Sequence, residues 1–367
     1  MLPIIALVSA SAALSVFPTA SRTKLSSSAE VQVWDNVLPN EGQRAALHEY
    51  SSKLGLGHRC FSRPLSEARR NNVIERTLDA ILAEMEEGIE GSGRMVVEYW
   101  TRQEWRHIEA HADVDENLSK RIDQRSLDDC GDLQSKYPTT YLQSYGHRYP
   151  AYGHVLYLQV GTDVRGPTCI FHGRSTGGDL LRATHDLKSS RGISDDVEDR
   201  EEVQLSIVPA VSGRLLRFDG RDLHAVPRPT DLWMIPFVKG SADYEPREVW
   251  GRSVILFNIW PSDEEPPLDV PLDRIEDDLQ QSQTMHAFCN SFRNWKEVRI
   301  FRRESSSPSS DSQTNESVKV WLLGNERRRD HPLRTVSLLA PAVGGRDAVR
   351  EALEEKSRVT ELWLRQQ

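Results

Sequence analysis

Gly213-Arg-Leu-Leu-Arg-Phe-Asp-Gly-Arg-Asp-Leu-His224 reads as an apolar strand, a Gly-centred turn and a second strand that opens onto a histidine. Far upstream, His111-Ala112-Asp113 sets a histidine and a carboxylate two residues apart. Side chains on a strand alternate between faces, so a pair at that spacing points to one side. A histidine from a distant strand then completes three corners of an octahedron. Two imidazoles and one carboxylate, with the other positions open, form the facial set that holds Fe(II). H-x-D alone is a weak signal. The strand before His224 strengthens it, and so does Gly251-Arg-Ser-Val-Ile-Leu-Phe-Asn-Ile-Trp260, a strand opening on an arginine. A guanidinium there suits a dicarboxylate, because its planar fork matches a carboxylate bidentately.

The chain has 11 histidines, so chance pairings must be weighed. The nearest rival is His107-Ile-Glu109, which by strand parity shares a face with His111 and Asp113. The small Ala112, and Asp115-Glu116 where the strand leaves the sheet, favour His111 and Asp113; His107 reads as a core-edge or supporting residue. His154 and His172, at the ends of apparent strands, read as hydrogen-bonded structural residues. His185 falls in an acidic loop and reads as solvated. For the basic residue, Arg228 and Lys239 are rivals to Arg252, which is preferred because it directly precedes an apolar strand.

Outward from these segments the chain divides into helices first and strands afterwards. A short helix is expected within Asp35 to Leu54. A longer one follows Pro64, with Val73, Ile74, Leu78, Ile81, Leu82, Met85 and Ile89 recurring every three or four residues. Strands are expected at Met95–Trp100, Trp105–Asp113, His154–Val160, Thr168–Phe171, Val203–Val208, Gly213–Phe218, Leu223–Val226 and Ser253–Trp260. This order predicts an α+β chain: a double-stranded β-helix (jelly-roll, or cupin) core braced by N-terminal helices, with a small C-terminal extension. The expected segments are a presequence over 1–30, the jelly-roll domain over 31–264, an acidic and Ser-rich connection over 265–316, and the extension over 317–367. Within the extension, Val318–Leu323 and Thr335–Leu339 read as strands and Arg346–Leu364 as a charged terminal helix. Whether it packs on the jelly roll or stands apart is left open by the sequence.

Composition sets the outer bounds. At 367 residues the chain is long enough for a sizeable core. Its 55 acidic against 46 basic residues, a net charge of −9, argue against a general nucleic-acid binder. Cys60, Cys130, Cys169 and Cys289 show no C-x-x-C pair and no zinc spacing, so they leave the redox compartment open. Leu2 to Ala20 is uncharged and apolar but broken by Ser and Pro18, with Arg22, Lys24 and a Ser-rich stretch following. That suits a cleavable presequence better than a spanning helix. It resembles the bipartite presequences of algae with complex plastids; the secretory pathway is the other destination it allows. No membrane span is expected in the mature chain.

The succession helix, H-x-D, Tyr-Leu strand, Gly166-Pro-Thr-Cys-Ile-Phe171, Gly213-Arg-Leu-Leu-Arg-Phe218, Leu223-His224, then Gly251-Arg252 resembles the Fe(II)/2-oxoglutarate dioxygenases, and most nearly their prolyl 4-hydroxylase-like branch. The resemblance runs from about Val31 to Trp260. It implies that His111, Asp113 and His224 bind iron, that Arg252 pairs with the distal carboxylate of 2-oxoglutarate, and that Thr168 faces this co-substrate. It implies hydroxylation of a peptide, a prolyl residue among the candidates, or of a small molecule, with O2 consumed and succinate and CO2 released. Ascorbate is the reductant such a site would use. Arg252 lies farther beyond His224 than the family's basic residue does, which suggests an insertion and puts prolyl specificity in doubt. Two other classes fit the same pattern. One is a catalytically silent jelly-roll binding module in which the histidines are structural. The other is a jumonji- or cupin-type oxygenase acting on a different substrate.

Overall fold

A computed structural model of the chain describes residues 31–54, 57–63, 71–85, 95–104, 107–115, 148–162, 164–174, 202–228, 230–234, 251–260, 267, 288–303, 316–322 and 334–366. Residues 1–30, where a presequence is expected, most of the 265–316 connection, Cys130, His185 and Lys239 lie outside these residues.

Two sheets carry the fold. The first has the order β11 (Lys296–Glu297), β1 (Gln32–Asp35), β8 (Leu215–Asp219), β5 (Tyr152–Val160), β10 (Arg252–Trp260), β3 (Met95–Glu104), β2 (Arg59–Arg63), paired antiparallel throughout. The second runs β12 (Ile300–Arg302), β15 (Val359–Gln366), β14 (Arg334–Leu339), β13 (Ser317–Leu322), β4 (Ile108–His111), β9 (Leu223–Val226), β6 (Thr168–Phe171), β7 (Glu202–Val208). A further pairing of β15 with β7 closes seven of these strands into a ring. This is a jelly roll, as the sequence predicts, and the strands of the C-terminal segment are built into its second sheet.

The pleat explains how the layers pack. Alternate residues of β6, β7 and β9 (Cys169, Phe171; Val203, Leu205, Ile207; Leu223, Ala225) join Val318, Val320, Leu322, Val336, Leu338, Leu362 and Leu364 in one apolar core inside the ring. Val349, Ala352 and Leu353 of helix α3 (Gly345–Glu354) belong to the same core. The intervening residues, Ile170 and Val208 among them, face the first sheet and meet Val155, Tyr157, Leu216, Phe218 and Val254. On the far side of the first sheet lie α1 (Glu41–Leu54) and α2 (Val73–Glu84), whose Leu47, Val73, Ile74, Leu78, Ile81 and Leu82 pack on Val97, Tyr99, Leu156 and Phe257. Helix α2 begins with a capping box between Asn72 and Glu75, two otherwise orphaned N–H groups satisfied reciprocally.

Several expectations need correction. Arg346–Leu364 is not one helix: α3 ends at Glu354 and Val359–Gln366 forms β15. Helical spacing holds only through Leu353, whereas Val359, Leu362 and Leu364 fill the ring core from a strand bonded to β7 over six residues. Tertiary pairing overrides local pattern there. Strands β1, β2, β11 and β12 are short edge or near-edge elements with too little alternation to stand out. His154 lies inside β5, not at its end, and is buried with its ring stacked 4.3 Å from Phe257. Gly213 precedes β8 in a turn at φ +80°, where a Cβ would come 2.6 Å from the Leu38 carbonyl oxygen, so only glycine fits.

Arg214 ties the ends of the chain together. Its guanidinium, 1% exposed, forks onto Asp35 at 2.7 and 3.1 Å and also donates to the Ser357 carbonyl at 2.8 Å. The link between α3 and β15 is thereby held against β1.

Ring closure through β15 carries a direct consequence. Leu362 is fully buried opposite Leu205, so Leu362→Ala should lower stability by roughly 2–5 kcal/mol. Urea unfolding should show this as a lower midpoint at unchanged slope; a loss below about 1 kcal/mol would mean that β15 does not seal the core.

Candidate metal centre

One rung of the second sheet carries the two imidazoles. His111 stands opposite His224 between β4 and β9, His224 opposite Ile170, and Ile170 opposite Ser206. Opposed residues share a face, and this face looks toward the first sheet. The rings of His111 and His224 are 4.3 Å apart. Asp113 lies two residues past the end of β4 and turns its carboxylate between them, Oδ1 at 3.9 Å from His111 Nε2 and Oδ2 at 3.8 Å from His224 Nε2. One ligand atom from each of the three falls within 4.8 Å of the others.

The donor set fits a divalent metal. His111 Nδ1 is 2.8 Å from the Glu109 carbonyl oxygen. A carbonyl only accepts, so Nδ1 carries the proton and Nε2 is the nitrogen that presents a lone pair to the cluster. His224 Nδ1 stands in the same relation to the Asp222 carbonyl at 3.4 Å. With bonds of about 2.1 Å, cis ligand atoms in an octahedron would sit about 3 Å apart, so a metal would draw these groups inward by roughly an ångström. Asp113 is 7% exposed and His224 6%; two imidazoles and a carboxylate gathered in so dry a place have a cation as their natural partner.

The facing rung of the first sheet forms the roof. Phe218, Gly153 and Asn258 stand opposite one another across β8, β5 and β10. Phe218 packs 5.0 Å from the His224 ring. A Cβ on Gly153 would fall 2.6 Å from the Phe218 ring, so the missing side chain is what lets that ring lie flat there. Asn258 Nδ2 donates to Asp113 Oδ2 at 3.2 Å.

Arg252, 4% exposed, opens β10 on the same inner face as Asn258. Its Nη1 donates to the Gly166 carbonyl at 3.0 Å and to Thr168 Oγ1 at 3.2 Å. Thr168 Oγ1 also bonds the Tyr157 hydroxyl at 2.7 Å, and the guanidinium lies 5.5 Å from the Tyr157 ring centre. Arg252, Thr168 and Tyr157 thus form a second polar cluster. Thr168 precedes Ile170 by two residues, so this cluster lies about 7 Å along the strand from the imidazole rung.

The rivals separate. The strand register shifts between Ile108 and His111, so simple alternation does not carry from His107 to His111. His107 packs edge-on to Trp321 instead, with burial lowering its pKa to about 4. Glu109 contributes its carbonyl to His111. His172 Nε2 pairs with Ser206 Oγ at 2.8 Å, as a structural histidine should. Arg228 is also buried and runs its stem past Gly166, where a Cβ would meet it at 3.1 Å, but Arg252 is the one bonded to Thr168. Tyr157, Phe218, Gly153 and Asn258 were not singled out in the sequence. Asn258 left a trace there, as the lone amide within Ile255-Leu-Phe-Asn-Ile-Trp260.

No protein-family profile and no curated relative matches the sequence. Among solved structures, HygX from Streptomyces hygroscopicus with iron bound aligns at 16% identity and a TM-score of 0.32, over 63% of this chain and 82% of that one. A prolyl-4-hydroxylase of Pseudomonas putida aligns at 14% and 0.29, over 64% and 88%. EvdO2 from Micromonospora carbonacea var. aurantiaca, complexed with 2-oxoglutarate, aligns at 13% and 0.28, over 66% and 92%. Likeness at this level does not say what the present chain binds.

The two histidines of the H-x-x-x-H stretch can be told apart by experiment. His111→Ala should abolish uptake of one Co(II) per chain, whereas His107→Ala should leave the affinity within a few-fold of normal. Equal loss from both, in folded protein, would place the centre elsewhere on this segment. What the chain presents is a jelly roll whose two sheets enclose a His-Asp-His cluster able to hold a metal ion.

Proposed function

We propose that this chain is an Fe(II)- and 2-oxoglutarate-dependent dioxygenase that hydroxylates a peptide or small-molecule substrate, releasing succinate and CO2. The observation that carries the reading is Arg252. It is a buried guanidinium whose bonds go to a carbonyl and a hydroxyl, with no acidic side chain paired to it among the described residues. Leaving a buried charge uncompensated is costly by several kcal/mol, and a ligand carboxylate is the partner that would relieve it. About two residue rises, roughly 7 Å, separate the Thr168 row from the imidazole rung, a span that a five-carbon diacid bridges.

The proposal assigns these roles. His111, Asp113 and His224 would hold Fe(II), and Arg252, Thr168 and Tyr157 would take the distal carboxylate. Bound iron would supply the O2 chemistry, with ascorbate keeping it reduced; the protein orients and shields the reacting groups. Phe218 and the apolar layer around Val155, Ile170 and Val254 exclude water from the space between the sheets. Prolyl residues of a peptide are one substrate class to try, given the sequence resemblance.

The test is 2-oxoglutarate turnover to succinate by purified chain with Fe(II), across peptide and small-molecule panels. Asp113→Ala should abolish it. Arg252→Ala should raise the 2-oxoglutarate KM about 10- to 100-fold, the worth of a charged hydrogen-bond pair, while Co(II) affinity stays within a few-fold. Absence of turnover across the panels, with Co(II) bound normally, would favour a silent binding module. An unchanged KM in Arg252→Ala would move the carboxylate site to Arg228 or Lys239.

A further inference from the structure

Asn258 sits among apolar neighbours in β10 and is 2% exposed. Its amide faces the cluster across the gap between the sheets and donates from Nδ2 to Asp113 Oδ2. The orientation is fixed by chemistry, since an ionised carboxylate offers only acceptors. Asp113 itself stands beyond the last residue of β4, so no ladder bond of its own strand sets its side chain. The Asn258 amide reaches it from the other sheet.

The carboxylate has to face both imidazoles at once, with Oδ1 toward His111 and Oδ2 toward His224. We infer that Asn258 is a positioning residue that fixes the orientation of the Asp113 carboxylate between the two imidazoles. This rests on the reading of His111, Asp113 and His224 as a metal centre. The same roof rung that supplies Asn258 also supplies Phe218 against His224, so two of the three ligands are aimed from the first sheet. Hydrogen-bond partners of metal ligands fix ligand orientation, and their removal typically weakens metal affinity by about 10- to 100-fold.

The experiment is a Co(II) titration of the full chain, reading both affinity and the visible d–d absorption. Asn258→Leu is nearly isosteric and removes the donor; Asn258→Ser, too short to reach Asp113, serves should the leucine variant not fold. The expected result is Co(II) binding weakened about 10- to 100-fold, with altered d–d bands and near-normal thermal unfolding of the unloaded protein. A merely structural Asn258 would lower the unfolding temperature and leave the bands unchanged, which would overturn the inference. So would unchanged affinity and bands in a folded variant, while wild-type binding and its loss in His111→Ala left the metal reading intact. A wild-type chain that takes up no Co(II) would overturn the metal reading itself, and this inference with it.

Discussion

The pairing of β15 with β7 runs over six residues. It closes the second sheet and gives that sheet a dry core on the side away from the first. A strand that lends one face to a polar cluster loses apolar surface there: Thr168, Ser206 and His224 occupy inner positions that Val or Ile would otherwise take. Their neighbours Cys169, Phe171, Leu205, Ile207, Leu223 and Ala225 restore the loss on the other face. Burial of apolar area at roughly 25 cal/mol per Å² makes that second core the main support of strands whose first face is polar. The C-terminal strands are thus part of what allows a polar site between the sheets.

Which parts of this were legible in the sequence follows from the physics of each segment. Thr168–Phe171 and Leu223–Val226 stood out with their observed bounds because each is a short apolar run closed by Gly or Pro. Helix α2 was legible because its apolar residues recur at helical spacing over three turns. His111, Asp113 and His224 were legible as a set because period two and one distant histidine suffice to describe a facial cluster. The bulge between Ile108 and His111 was not, since a register shift is decided by the partner strand and leaves no mark in composition. β15 was missed for the opposite reason. Its charged surroundings extended the pattern of α3, and only β7 shows that Val359 to Gln366 is a strand.

Tyr157 and Asn258 show a further limit. Each is an ordinary residue of an apolar strand until the other sheet is in place. Parity says that Tyr157 shares a face with Val155, but not that Thr168 waits across the gap. The site is made by juxtaposing two sheets, and the residues that aim the ligands belong to the sheet that does not carry them.

Four buried arginines differ in how their charge is met. Arg214 forks onto Asp35, Arg148 meets Asp115 at 3.4 Å, and Arg63 meets Asp79 at 2.9 Å. In each case a carboxylate from another part of the chain neutralises the guanidinium, and the pair fastens two segments together. Arg252 is as buried as these but meets a carbonyl and a hydroxyl. Neutral acceptors orient a guanidinium without cancelling its charge. An arginine serving only to hold β10 against β6 would be better served by an aspartate at position 168 than by a threonine. Threonine leaves the charge uncancelled, the condition under which the carboxylate of the proposed co-substrate would bind most strongly.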